Sequence, residues 1–273
     1  MAYNRAMETN KPIRSAKDQF DKQATEYNAQ WNGWSEETLN AMLAAAQPKS
    51  MDMVLDVATG TGFTALAFAP LVYSVVGMDV STGMLEQAQK YAAERGITNA
   101  RFQEGAAEAL PFGDQSFDLV TCRIAPHHFL DMTKFLSETA RVLKPGGSFV
   151  MADTTVPDNL PEAAQWQNAV EAVRDPSHFR NYTPSEWRRM AEDAELTVTE
   201  CRTDGGGITI PLSGWLHKAG CTPEQSAAVR QAFADAPESA RQAFQIVTDA
   251  GGETVFTWQR VLLKAVMVEL KPT

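Results

Sequence analysis

The segment Met53-Val54-Leu55-Asp56-Val57-Ala58-Thr59-Gly60-Thr61-Gly62-Phe63 decides the fold. A short β-rich run enters a turn carrying two glycines and leaves it as a helical pattern. The next β-rich run, Ser74 to Asp79, ends on an acid nineteen residues beyond Gly60. Glycine lets backbone approach a ligand closely, and an acid at that distance on the second strand reaches a ribose held over the first turn. The plainer alternative is a loop followed by an aspartate that caps the next helix.

Outward from this unit the alternation continues. β-rich runs stand at 100 to 103, 117 to 122 and 148 to 153, with helical patterns near 63 to 69, 82 to 94 and 132 to 142. Strands apolar on both faces and joined by helices predict a doubly wound α/β domain around a parallel sheet. Before it, residues 1–50 read as a helical lid segment, with Ser35 as an N-cap for a helix from Glu36 to Ala46 and Pro48 closing it. The α/β core is expected over 51–154. Residues 155–273 read as helical cap insertions plus two late strands of the same sheet, Leu196 to Cys201 and Thr254 to Leu263. Thr183-Pro-Ser-Glu186 and Thr222-Pro-Glu-Gln225 are capping boxes that start helices at Pro184 and Pro223.

The chain has 273 residues, 44% apolar and 21% charged, enough for a sizeable core without covalent staples. Its formal charge of −10 disfavours a nucleic-acid partner. No apolar stretch reaches the roughly 18 to 20 residues of a membrane span, and the start is polar, so a cytoplasmic protein is expected. Cys122, Cys201 and Cys221 are odd in number and have no CxxC spacing, which suggests neither a disulfide framework nor a metal site. Cys122 reads as core. Oligomeric state is left open, a homodimer included.

Two ligand readings of the glycine turn stay open on the residues alone. Gly60-Thr-Gly62-Phe-Thr-Ala65 fits the G-x-G-x-x-A fingerprint of a dinucleotide-dependent oxidoreductase. A carboxylate at Asp56 is unwelcome beside a pyrophosphate, whereas the ammonium and sulfonium of S-adenosylmethionine make it an asset.

From Val54 to Gly147 the chain resembles a class I S-adenosylmethionine-dependent methyltransferase of the small-molecule branch that includes the ubiquinone and menaquinone enzymes. The matching text is Val-Leu-Asp56-Val-Ala-Thr-Gly60-Thr-Gly62, Val-Val-Gly-Met-Asp79-Val-Ser-Thr-Gly-Met84-Leu, Glu108-Ala-Leu-Pro-Phe112, Ser116-Phe-Asp118-Leu-Val, His127-His128-Phe and Leu143-Lys-Pro-Gly-Gly147. The resemblance implies a seven-stranded, mostly parallel, Rossmann-like sheet with lid insertions. It implies S-adenosyl-L-methionine as cofactor, with Asp79 on the ribose hydroxyls, Val80 and Met84 at the adenosine, and Ala58, Gly60 and Gly62 at the methionyl end. Met84 also reads as core. Tyr27 would close over the cofactor. One departure stands out: the family's acid after the third-segment glycine is Ala106 here, leaving adenine to the Ala107 backbone N–H or to Glu108.

Methyl transfer from a sulfonium needs chiefly an acceptor held about 3 to 3.5 Å from the methyl carbon, with a base only when the acceptor must lose a proton. His127 and His128 follow the fourth strand, at the edge where open α/β sheets bind ligands; each is a candidate base or a loop-shaping side chain. Arg123 is a partner for a carboxylate or a solvated charge. In the cap, His178, Arg180 and Tyr182 read as acceptor contacts or as a solvated turn. Trp215, with Trp166 and His217, reads as an apolar acceptor pocket or as core. The expectation is a methyltransferase for a small-molecule acceptor. The alternatives are the oxidoreductase and a cofactor-binding member that does not methylate.

Overall fold

The computed structural model describes residues 16–23, 34–204 and 208–268. Tyr27 lies outside them. The main-sheet strands are β1 (Met53–Val57), β2 (Ser74–Asp79), β3 (Ala100–Glu104), β4 (Phe117–Arg123), β5 (Leu143–Thr155), β6 (Leu196–Asp204) and, after three short strands, β10 (Gln259–Met267). Seven strands run in the order β3-β2-β1-β4-β5-β10-β6. β3 through β5 pair in parallel, and β10 is antiparallel to both β5 and β6. This is the doubly wound α/β sheet the alternation predicts.

Residue parity sorts the two faces of the sheet. Leu55, Val57, Met78, Val120, Met151 and Val261 point to one layer, where Phe135 and Leu136 of α5 (Met132–Val142) and Trp187 of α7 (Pro184–Asp193) cover them. Val54, Val75, Leu119, Val150 and Leu262 point to the other, under Met42 of α2 (Trp34–Ala46) and Phe68 of α3 (Phe63–Phe68). Each fully buried side chain of this size contributes about 1.5–3 kcal/mol. Such burial on both faces is why these strands read as continuous apolar runs. Both capping boxes form, with Thr183 and Thr222 each accepting from the N–H three residues on.

The cap holds α6 (Pro161–Arg174), α8 (Leu212–Lys218), α9 (Pro223–Ala234), α10 (Glu238–Ala243) and a three-stranded sheet ordered β7-β9-β8, from Ile210–Pro211, Thr254–Phe256 and Val247–Thr248. Its own core gathers Trp166, Trp215, Phe233, Phe244, Phe256 and Trp258. Two sequence expectations are corrected here. Thr254 to Leu263 is not one strand: Thr257 N donates to Phe244 O at 2.8 Å and Trp258 turns into the aromatic core, so the run splits into β9 and β10. α2 already includes Trp34 and Ser35, so Ser35 is a helical residue and not the cap. The remaining helices, α1 (Ala16–Gln23) and α4 (Thr82–Glu94), flank the carboxyl end of β2.

Candidate active site

A cavity of about 630 Å³ opens at the carboxyl ends of β1, β2 and β4. Its floor is the turn after β1, where Ala58, Gly60 and Gly62 all take positive φ, 53°, 55° and 81°. Thr59 N donates to Met78 O at 2.9 Å and Gly60 N to Asp79 Oδ2 at 2.8 Å, so β2 holds the turn in place. The other carboxylate oxygen of Asp79 accepts from Ser81 N at 2.9 Å. Burial pushes Asp79 above the usual carboxylate range, with the N–H groups of Ser81 and Gly60 working against it. Both Asp79 and Gly60 line the cavity, as do Ala58, Val80, Met84, Ala107 and Glu108. Met84 is at the same time buried in the fold, so wall and core are one role here. Glu108 Oε1 accepts from Leu130 N at 3.2 Å, tying the wall after β3 to the loop after β4.

Two residues of the glycine motif do not line this cavity. Asp56 is 1% exposed and sits beneath the turn, its carboxylate accepting from Thr59 Oγ1 at 2.6 Å and Thr121 Oγ1 at 2.7 Å. It braces the turn from inside the sheet. Gly62 serves packing: a Cβ there would lie 3.0 Å from Ala88 Cβ and 3.2 Å from the Phe102 ring.

Burial pushes Asp56 up to about 6, against the two threonine hydroxyls. A folded-state pKa above the unfolded value makes the charged form a cost. That cost is absent below about pH 4 and fully present above about pH 6, on the order of 3 kcal/mol. Asp56→Asn, whose amide still bonds one hydroxyl as acceptor and the other as donor, is therefore expected to be the more stable protein by about 1–3 kcal/mol at pH 8 and no more stable at pH 4. Urea unfolding at the two pH values checks it.

The turn after β4 is the second wall. Ile124 sits at φ 50°, a strained setting for a β-branched residue, pinned by its N–H donating to Ala152 O at 2.8 Å. A 3-10 turn then presents the two histidines, rings 4.1 Å apart. Their environments differ. His127 faces away from the cavity: its Nδ1 lies 2.7 Å from Asp153 Oδ1 and its backbone N donates to Asp153 Oδ2 at 2.9 Å. Burial would lower His127, but the Asp153 carboxylate outweighs it and holds the imidazole above its ordinary value. His128 lines the cavity and makes an edge contact with Phe20 at 5.1 Å between ring centres. Burial and the His127 charge push His128 down to about 4. Protonation is thus favoured on the imidazole behind the wall and disfavoured on the one in front of it.

Arg123 lines the cavity, donating from Nε to Thr64 Oγ1 at 2.9 Å and lying 5.0 Å above the Phe63 ring. α1 spans the mouth: Lys17 Nζ donates to Val80 O at 2.8 Å, Ser81 Oγ donates to Asp21, and Phe20 reaches His128.

The cap residues singled out in the sequence are placed elsewhere. His178 is buried, its Nε2 3.2 Å from Asn168 Oδ1 and its ring 5.5 Å from His127. Arg180 pairs with Glu186 and covers the Tyr182 ring at 4.8 Å, while Tyr182 packs on Trp187. Trp215 belongs to the cap's aromatic core, under Arg174 at 4.3 Å. None of the four lines the cavity; the loop reaches it through Ser177 instead. Sequence reading missed Phe20, Ile124 and Asp153, and in the loop from Arg174 to Tyr182, read as acceptor contacts or as a solvated turn, it named His178, Arg180 and Tyr182 where Ser177 lines the cavity. Asp153, an acid at the carboxyl end of a buried strand, carried a signal too.

Among the described residues no helix is long and apolar enough to cross a membrane, and no group of three His, Cys, Asp or Glu side chains could hold a metal ion. Cys122 is buried in the sheet.

The family described as a methyltransferase domain matches residues 54–147. The uncharacterized methyltransferase YcgJ of Bacillus subtilis is 34% identical over 250 residues, 92% of this chain and 96% of that one. Its crystal structure superposes with a TM-score of 0.80 over 86% of this chain and 99% of that chain. The demethylmenaquinone methyltransferase of Deinococcus radiodurans is 41% identical over 128 residues, 46% of this chain and 51% of that protein. A glycine turn buttressed by an acid, on a sheet of this order, defines a nucleoside-binding α/β enzyme. The chain belongs to the class I S-adenosylmethionine-dependent methyltransferases. Its cofactor is S-adenosyl-L-methionine.

Proposed function

We propose that this enzyme methylates a small, partly apolar acceptor inside the cavity at the carboxyl edge of β1, β2 and β4. The observation that carries the reading is that a single cavity joins the Asp79–Gly60 clasp to His128 between apolar side chains, Phe20, Ile124, Phe129 and Leu130 among them. Its volume of about 630 Å³ lies within the range of roughly 300–1,000 Å³ of small-ligand sites.

The chain's own groups fit the cofactor. Asp79 retains lone pairs for the ribose hydroxyls beyond those taken by Gly60 and Ser81. Ala58 and Gly60 bring bare backbone to the methionyl end, Gly60 with open space where a Cβ would project. Met84 and Ala107 offer an apolar slot for adenine, and Arg123 a cation for a carboxylate. When bound, S-adenosylmethionine supplies a methyl carbon whose bond to the sulfonium sulfur breaks with both electrons staying on sulfur. The residues supply position: the clasp fixes one end of the cavity, and His128, Phe20 and Leu130 shape the other, where the acceptor sits. In this reading α1 forms the described part of the lid and α6, α8, α9 and α10 the cap, while α2 packs on the sheet.

The test is a methyl-label transfer screen over fractionated cell extract. Label is expected in low-mass organic products with matching release of S-adenosylhomocysteine; label found only in protein or nucleic acid would overturn the acceptor class.

A further inference from the structure

His128 has a tautomer written into its surroundings. Its Nδ1 lies 3.1 Å from Ser177 O and 3.1 Å from Ser177 Oγ. The carbonyl can only accept. The hydroxyl has its proton committed to Asp175 Oδ1 at 2.7 Å, and Ser177 N donates to the same oxygen at 2.9 Å, so Oγ faces His128 as an acceptor too. Two acceptors on Nδ1 require that Nδ1 carry the proton, which leaves Nε2 of the neutral ring with a bare lone pair. Ser177 is 2% exposed, so water does not compete for the arrangement. His128 and Ser177 both border the cavity.

We propose that Asp175 and Ser177 are positioning residues that hold His128 as an Nε2 hydrogen-bond acceptor, and that the methyl acceptor is therefore a protic group, an O–H or N–H that donates to Nε2. This deepens the preceding reading of the cavity and rests on it. As the acceptor's lone pair forms its bond to the methyl carbon, the O–H or N–H bond breaks and its proton passes to Nε2. The positive charge that leaves sulfur thereby appears on the imidazolium, whose Nδ1–H points through Ser177 toward the Asp175 carboxylate. His127, Asp153 and Asp175 are the titratable groups around the ring, and the two carboxylates favour that transient charge. A thiolate or a tertiary amine has no proton to give and no use for this device.

The experiment uses the full-length protein labelled with nitrogen-15 in its four histidines and loaded with S-adenosylhomocysteine, with His128→Gln assigning the signals. Long-range proton–nitrogen spectra at pH 7 are expected to show His128 protonated on Nδ1, the tautomer less common in water, and addition of phenol as probe donor is expected to shift Nε2. Ser177→Ala is expected to raise the share of the Nε2–H tautomer, while Ser177→Thr, which keeps the hydroxyl, restores the wild-type spectrum. With the acceptor from the label screen, Ser177→Ala should lower kcat about tenfold and His128→Gln ten- to a hundredfold, with S-adenosylhomocysteine affinity within twofold of wild type. An Nε2–H or doubly protonated ring at pH 7, or an Nε2 signal indifferent to phenol, overturns the proposal. Failure of calorimetry to show S-adenosylhomocysteine binding overturns the cavity reading beneath it, and is told apart because the tautomer is read without turnover.

Discussion

Asp79→Asn is expected to weaken S-adenosylhomocysteine binding by roughly 1,000-fold, about 4 kcal/mol. Both carboxylate oxygens accept backbone N–H groups, from Gly60 and from Ser81. Asparagine offers one acceptor and one NH2, so whichever way the amide turns, a donor faces a donor. An orphaned buried N–H costs about 1–3 kcal/mol, and losing the charge-assisted bonds to the ribose that the proposed cofactor site gives Asp79 adds about 1.5–3 kcal/mol. The turn loses its brace at the same moment as the ligand loses its anchor. Calorimetric affinity within threefold of wild type would remove Asp79 from the site.

The second large effect is one of stability. Asp153 is 2% and His127 14% exposed in their side chains, and Asp153 also accepts from the backbone N–H groups of His127 and Thr154. Removing one partner of a buried pair leaves an uncompensated charge, typically 3–5 kcal/mol. Asp153→Ala should lose about that much at pH 6. The sign with pH follows from His127: its folded value is raised above the ordinary 6.5, so the ion pair stabilises fully below about pH 6.5 and fades as pH rises through the folded value. The penalty for Asp153→Ala is therefore expected to shrink by pH 9, keeping only the cost of the orphaned N–H groups. Urea unfolding at pH 6 and pH 9 measures it; equal losses at both would show that the charge contributes nothing.

Much of the core was legible in the sequence because local and tertiary demands agree there. β1 and β2 have the bounds the alternation gives, and α4 and α5 span the residues their apolar spacing marks. Pro184 and Pro223 start helices because a capping box is a purely local device. Where a distant partner decides, the pattern misled. Trp258 leaves a strand-like run because six aromatic rings of the cap gather around one another, and Trp215 goes with them. The site shows the same division. That Asp79 reaches the turn was legible as a spacing, whereas the Thr121 hydroxyl that joins the nearby Thr59 in claiming Asp56 becomes visible only once β4 lies beside β1. The different fates of His127 and His128 depend on Asp153 and Ser177, from segments remote in the chain, so no local pattern could rank the two.

The place of β10 between β5 and β6 bears on how the chain is made. Among the described residues β6 pairs only with β10, and β10 also completes the edge of β5. During synthesis both edges stay bare until translation has passed Met267, long after β1 to β5 have emerged. Unpaired strand edges are what recruit other chains, so the nascent protein carries its greatest risk of misassociation at the ribosome, and slower elongation late in the message would prolong that exposure.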